Sequence, residues 1–354
     1  MQKALYFIPD ISGFTKFVHE TEIEHSIHII AELLEILLDN NTTGFELAEI
    51  EGDALFMYTT EPPAFAELIA QINKMLESFH QHIHHYNHLR ICDCGACRTA
   101  VNLNIKFILH YGNLNFIKIK EFEKPYGTDV IRIHRLLKNK IDLPEYILIT
   151  EPTFSFYHPQ PQVEWQQASD VYDHQEATRY FFKDLESEKQ QIVYQSSSTP
   201  NTPSGEPVFQ IQKTVPASPR VVHTLVGDWS KRTLWDEHVK RIEPERSTLN
   251  QVGAKHTCIL DRGDLEFMTI REASPTLLSY GETTDQLRFI KRYSFLMQFH
   301  ETDTGNTQVI VQVYLEFSRL GRWLKPVLIQ RLRKNWDEKL TRLGQVTAKH
   351  LHII

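Results

Sequence analysis

The sequence predicts an α+β protein made of two unlike domains, and three observations carry that reading. Residues 1 to about 195 alternate short strand-like runs with amphipathic helices. Ser196 to Pro207 reads SSSTPNTPSGEP, rich in proline and without an apolar side chain to bury, which is the composition of a flexible linker. Residues 208–354 then read as a long series of strands closed by one helix. No segment repeats another, so the domains, 1–195 and 208–354 on either side of the linker 196–207, are different folds. At 354 residues, 41% hydrophobic and 23% charged, each is long enough to bury its own core.

In the first domain Ala4 to Ile8 is a short apolar run that reads as a buried strand. From about Glu24 to Leu38 apolar residues recur at helical spacing (Ile27, Ile30, Leu34, Leu37), with Leu33 and Leu38 widening the stripe. Phe45 to Tyr58 holds Glu51-Gly52-Asp53 between two strand-like runs, a hairpin with Gly-Asp at or near its turn. Ala64 to His80 is a second amphipathic helix, Ile105 to Tyr111 a strand, Gly127 to Lys138 a helix and Tyr146 to Thr150 a strand. These elements imply an α/β or α+β sandwich layered on one sheet.

The second domain opens with a strand, Val208 to Val215, followed by Ser218-Pro219, an N-cap with proline at the first helical position, starting a short helix through Leu225. Strand-like runs follow at Lys255 to Leu260, Leu265 to Arg271, Leu277 to Thr283, Tyr293 to Glu301 and Thr307 to Phe317. A long helix from about Trp323 carries the stripe Leu324, Leu328, Leu332, Trp336, Leu340, Leu343, a face made to lie against a sheet. The whole reads as a curved sheet gripping a helix.

Several function classes fall away on composition. No apolar run approaches the roughly 20 residues of a membrane-spanning helix. The apolar stretch near Met1 is too brief for a signal peptide, which points to the cytoplasm. A net charge of −7 argues against general nucleic-acid binding, which neutralises phosphates with excess Lys and Arg. Four cysteines make no disulfide scaffold.

The informative residues are FIPDISGFT, from Phe7 to Thr15, and EGDALFMY, from Glu51 to Tyr58. Each places an aspartate, Asp10 or Asp53, at the end of an apolar strand beside a glycine that lets backbone approach a ligand. Two carboxylates on neighbouring strands suit hard divalent cations on a triphosphate, and they equally suit turns and caps. The two segments resemble the opening motif and second metal-site hairpin of the class III nucleotidyl cyclase catalytic domain. Downstream, Leu109-His-Tyr-Gly112 resembles that family's strand ending in His-x-Gly, and Gly127-Thr-Asp-Val-Ile-Arg-Ile-His-Arg-Leu136 resembles its helix Gly-x-x-Val-Asn-x-Ala-x-Arg-Leu.

This resemblance, over residues 3 to about 155, implies a ferredoxin-like core and a head-to-tail homodimer. It implies Asp10, Asp53 and the backbone of Ile11 as ligands of two Mg²⁺ or Mn²⁺ ions, and Arg135 as the catalytic cation reaching the partner's site. It further implies contacts to ATP or GTP from Gly13, Phe14, Thr15, Glu49 and Lys124. The pattern departs from the family where its Asn is Ile131, where its purine-reading Lys is Glu49, and at the second base-reading position, Lys124. Metal chemistry is retained on this reading, while base recognition is rebuilt or lost.

Cys92-x-Cys94-x-x-Cys97 follows a histidine-rich run from Phe79 to His88. Thiolates and imidazole at short spacing are the ingredients of a tetrahedral Zn²⁺ site, completed by His88 or His110. The same residues also fit reduced thiols on a loop and solvated histidines on a helix.

In the second domain, Phe209-Gln-Ile-Gln-Lys-Thr-Val215, Pro216 to Val222, and Val226-Gly-Asp-Trp229 leading to Trp235, with the closing helix, resemble the START-like helix-grip superfamily. That implies a cavity for a small apolar ligand; the aromatics Trp229, Trp235, Phe267, Phe295 and Trp336 equally serve as core. No constellation of titratable residues suggests a reaction there. Arg319, Arg322, Lys325, Arg331, Arg333 and Lys334 make the start of the closing helix basic, a solvated face or a contact with anionic membrane.

Three functions are thus open. The first is a nucleotidyl cyclase turning NTP into cyclic 3′,5′-nucleotide and pyrophosphate, regulated by the START-like domain. The second is an inactive nucleotide-binding or dimerisation module, and the third a carrier of an apolar ligand.

Overall fold

The computed structural model describes residues 2–13, 23–91, 95–158, 165–171, 177–194, 203, 205–245, 251–261, 263–272 and 278–349. They form two compact units, one of residues 1–84 with 99–195 and one of residues 85–98 with 196–354. Most of the predicted linker at 196–207 lies outside the described residues.

The first unit runs β1 (Lys3–Ser12), α1 (Ile23–Asp39), β2 (Glu46–Glu51), β3 (Ala54–Thr59), α2 (Phe65–Leu89), β4 (Asn104–Asn113), β5 (Asn115–Ile119), β6 (Phe122–Tyr126), α3 (Thr128–Leu136), β7 (Tyr146–Thr150), α4 (Glu151–Tyr157), β8 (Gln166–Asp170) and β9 (Thr178–Asp184). Its sheet has the order β2-β3-β1-β4-β7-β9-β8, and β5 and β6 form a separate hairpin. The first six elements are βαββαβ with strand order 2-3-1-4, the ferredoxin-like arrangement. β1 is central and buried on both faces, because its run Ala4 to Ile8 has no polar alternate to turn outward. One face (Tyr6, Ile8, Phe56, Ile108, Leu148) shares a cluster with Ile133 and Leu136 of α3.

The Gly-Asp turn is found as predicted. Glu51 pairs with Ala54, leaving Gly52-Asp53 as a two-residue connection, and Gly52 takes φ 65°, where a side chain is disfavoured. Helix α2 outruns the predicted Ala64 to His80 because Ile83 and Tyr86 continue its buried stripe through the histidine-rich run. Those histidines are not simply solvated. His80 meets Glu145 at 2.7 Å, His82 meets Glu32 at 2.9 Å, and the His84 ring stacks on Tyr194. The strands β5, β6, β8 and β9 escape sequence reading because they are short and carry polar or exposed residues.

The second unit contains β10 (Phe209–Val215), α5 (Pro219–Gly227), β11 (Val239–Pro244), β12 (Lys255–Leu260), β13 (Leu265–Ile270), β14 (Ser279–Thr284), β15 (Ile290–Glu301), β16 (Thr307–Phe317) and α6 (Gly321–Lys349). The antiparallel sheet has the order β10-β16-β15-β14-β13-β12-β11. Its core joins Phe295, Met297, Val309 and Val311 to Val222 and Leu225 of α5 and to Trp336, Leu340 and Leu343 of α6. This is a sheet gripping a terminal helix. The predicted helix stripe is corrected only at its start, since Leu324 is 40% exposed, while Leu328 and Leu332 are half-buried against the core that Trp336, Leu340 and Leu343 enter. Among the described residues no helix is long and apolar enough to cross a membrane.

Candidate functional site

Strand register brings the two aspartates together. Asp10 of β1 stands opposite Ala54 of β3, the residue after Asp53, and the Ile11 N–H donates to the Asp53 carbonyl at 3.0 Å. On the other side Asp10 stands opposite Lys106 of β4, whose Nζ lies 2.8 Å from Asp10 Oδ2. Burial pushes the Asp53 carboxyl up to about 6, helped by the charge of Asp10. Burial also raises Asp10, against the opposing pull of Lys106. A buried carboxylate and a half-buried one therefore share one ammonium, and the pair is short of positive charge. Hard oxygen donors in that state fit a hard divalent cation, which takes one or two protein carboxylates and completes its shell with phosphate and water. Among the described residues no three His, Cys, Asp or Glu gather as a fuller ligand set.

Lys106 was not singled out by the sequence reading. A lone lysine inside Ile105-Lys106-Phe107-Ile108 was the available signal, but its partner is set by cross-strand register.

The two positions expected to read a base also meet. Lys124 Nζ on β6 lies 2.7 Å from Glu49 Oε2 on β2, and hydrogen bonding to Glu49 raises the lysine. The opposite charges at these positions thus neutralise one another on an exposed surface. Arg135 is half-buried in the last turn of α3, one turn beyond Ile131, which is 45% exposed. Gly13 ends the β1 segment with φ 92°; Phe14 and Thr15 lie outside the described residues.

The His-x-Gly segment is a structural pin. His110 is fully buried, with Nδ1 2.8 Å from Thr150 Oγ1 and Nε2 3.1 Å from Asp129 Oδ1. Asp129 also accepts from the Asn113 N–H at 2.8 Å and from Arg132 at 2.7 Å. The His110 bond leads the interactions that hold its carboxyl down to about 2. Gly112 is required by the same pin, because a Cβ there would stand 2.6 Å from the Asp129 carboxyl carbon. His110 is thereby committed to Asp129 and Thr150, which corrects its candidacy as a zinc ligand.

Cys97 is buried, and the Tyr86 hydroxyl donates to its Sγ at 2.9 Å. Cys92 and Cys94 lie outside the described residues. His88 belongs to the last turn of α2, where its carbonyl accepts from Arg271.

The second unit holds a titratable cluster the sequence reading did not find. Arg232, Glu282, His256, Tyr280 and Asp236 are all buried among the core aromatics. Glu282 accepts from both Arg232 and the Tyr280 hydroxyl. His256 Nε2 lies 3.3 Å from Glu282 Oε1 but out of line for a hydrogen bond, and Lys339 meets Asp236 at 2.6 Å. Burial alone would raise Glu282; Arg232 and then His256 hold it down to about 2. The Arg232 guanidinium also lies over the Trp235 ring, 4.6 Å from its centroid. Arg232 Nε and the His256 ring nitrogens have no hydrogen-bond partner among the described residues.

Comparison with known proteins gives matches to both units. Residues 30–146 match a family model described as a protein of unknown function (DUF2652). An uncharacterized protein of Mycobacterium tuberculosis, Rv2561/Rv2562, is 33% identical over 122 residues, 34% of this chain and 57% of that protein. The match therefore spans little more than half of that relative. Among solved structures, the catalytic core of a rhodopsin-guanylyl cyclase with converted specificity, in complex with ATPαS, is 16% identical at TM-score 0.37, covering 51% of this chain and 95% of that one. The adenylyl cyclase CyaB from P. aeruginosa is likewise 16% identical at TM-score 0.37, covering 51% and 93%. The protein TTHA0849 from Thermus thermophilus is 15% identical at TM-score 0.33, covering 40% and 97%. Residues 207–347, which make up the helix-gripping unit, match the family model described as polyketide cyclase / dehydrase and lipid transport.

Proposed function

We propose that the first unit is a divalent-metal-dependent nucleotidyl cyclase, forming cyclic 3′,5′-nucleotide and pyrophosphate from ATP or GTP in a homodimer. The observation that carries this reading is the convergence of Asp10 and Asp53, a buried and a half-buried carboxylate short of positive charge, at one end of a ferredoxin-like sheet. The residues that would hold Mg²⁺ or Mn²⁺ are Asp10, Asp53 and the Ile11 backbone. When bound, such ions supply neutralisation of the polyphosphate and an acidified ribose hydroxyl. Lys106 fixes the Asp10 rotamer and opposes the rise that burial imposes on that carboxyl. Arg135 serves as the fixed cation at the reacting phosphorus of the partner's site, a role in which one preorganised donor is worth roughly 10²–10³ in rate. Glu49 and Lys124, paired with each other, present a donor and an acceptor together to a base edge.

A second reading has an observation of its own. The Glu49–Lys124 pair satisfies both side chains without a base, and Ile131 offers no hydrogen bond to a ribose. Those features favour an inactive nucleotide-binding or dimerisation module, with the second unit binding a small apolar ligand. Purified full-length protein incubated with each NTP and Mn²⁺ or Mg²⁺ separates the two. Cyclic product from wild type, absent in Asp53→Ala, supports the cyclase; nucleotide binding without turnover supports the module.

A further inference from the structure

The first turns of α6 stand clear of the core. Every residue from Arg322 to Val327 is exposed, and the helix meets the core only from Leu328, Ile329 and Leu332 onward. An amphipathic helix normally turns its apolar residues inward, and at the start of α6 a short apolar strip faces solvent instead. Trp323 is 88% exposed, Leu320 69%, Val327 65% and Leu324 40%. Their positions, 320, 323, 324 and 327, follow the i, i+3, i+4, i+7 spacing of one helical face.

The charge around this face is of one sign. Arg319, Arg322, Lys325, Arg331, Arg333 and Lys334 are all exposed, and no Asp or Glu occurs between Phe317 and Trp336. The whole chain carries −7, so this is a local reversal rather than a general tendency. An exposed tryptophan, aliphatic neighbours and a basic surround are the components of an interfacial helix. Its apolar face enters the acyl boundary while lysine and arginine meet anionic headgroups.

We propose that this surface docks the protein to an anionic lipid bilayer. Charge complementarity selects that occupant. A second copy seated on the same face would oppose two acid-free basic surfaces, and like charges repel. A nucleic acid would answer the basic residues but leave the aliphatic Leu320, Leu324 and Val327 in water. The proposal is independent of the cyclase reading, because it uses only α6 and the residues just before it.

The test is co-sedimentation of the full chain with phosphatidylcholine vesicles containing about 30 mol% phosphatidylserine, and with pure phosphatidylcholine vesicles. Binding should require the anionic lipid and fall as salt is raised from about 0.1 M to about 1 M. A Trp323→Asp, Val327→Asp variant should lose at least about ten-fold in affinity. Neutralising Arg322, Lys325 and Arg331 to Gln should cost about five-fold each. All five side chains are exposed, so melting temperatures should stay at the wild-type value, and a changed melt would show that the face is packed and overturn the proposal. No binding to anionic vesicles, equal binding to neutral ones, or equal binding by the variants would also overturn it. A concentration-dependent dimer, seen by light scattering and dissolved by Trp323→Asp, Val327→Asp without any vesicle binding, would give the face to a second copy instead.

Discussion

Asp53 and Glu282 are both sequestered carboxylates, yet their environments push them in opposite directions. Asp53 is driven up to about 6 by burial and by Asp10, and Lys106, which pairs with Asp10, offsets this only in part. Glu282 is held down to about 2, despite deeper burial, by Arg232 and His256. The difference separates a site from a scaffold. Glu282 has its counter-charge inside the protein, so it needs nothing from outside. Asp53 lacks one, and the deficit is what a divalent cation would remove. The sequence marks Asp53 by its Gly-Asp turn and motif, but it gives no sign of the charges that compensate Glu282, which come from distant positions.

The largest effect should come from breaking the balanced cluster. Glu282→Leu leaves Arg232 buried and unpaired, which typically costs about 3–5 kcal/mol. Denaturant unfolding should show this loss, and adding Arg232→Met should restore most of it. If the single variant is as stable as wild type, Glu282 is not the compensated partner described here.

Catalysis comes next in size. Arg135→Ala and Asp53→Ala should each abolish cyclic product as homodimers, and mixing them should restore part of it, since one shared site then keeps both groups. Roughly 10²–10³ in rate rides on the arginine. Absence of rescue on mixing would place Arg135 in its own chain's structure instead.

The Asp129 pin sharpens the comparison through pH. Its carboxyl lies below its usual 3.8, at about 2, so the folded state favours the ionised form. That stability is fully present above about pH 4 and is lost as pH falls toward 2, about 2 kcal/mol in all. Asp129→Asn should be less stable than wild type near neutral pH, and the gap should close in acid. A gap that stays constant would mean the ionised carboxyl contributes nothing.

The smallest effect belongs to the Glu49–Lys124 pair, which is exposed on both sides. Lys124→Ala should shift stability by no more than about 1 kcal/mol. A larger loss on thermal unfolding would show that the pair is structural.

Much of this was legible in the chain. β7 and β12 appear where their apolar runs place them, the Gly52-Asp53 turn follows from its dipeptide, and the gripping helix follows from Trp336, Leu340 and Leu343. These are local signals, readable within one element. What stayed hidden depends on register and on contacts distant in sequence. Lys106 faces Asp10 across two strands, and Arg232, His256 and Glu282 come from a short helix and two strands. Leu324 fits the α6 stripe yet is exposed, since periodicity records apolar spacing but not where the partner sheet ends.

The most direct test of the account is whether the undercompensated pair takes up a cation. Calorimetric titration of Mn²⁺ into full-length protein with a non-hydrolysable ATP analogue should show binding, reduced at least about ten-fold in Asp53→Asn and in Asp10→Asn, while Glu282→Gln binds as wild type does. Equal Mn²⁺ affinity in wild type and both aspartate variants would contradict it.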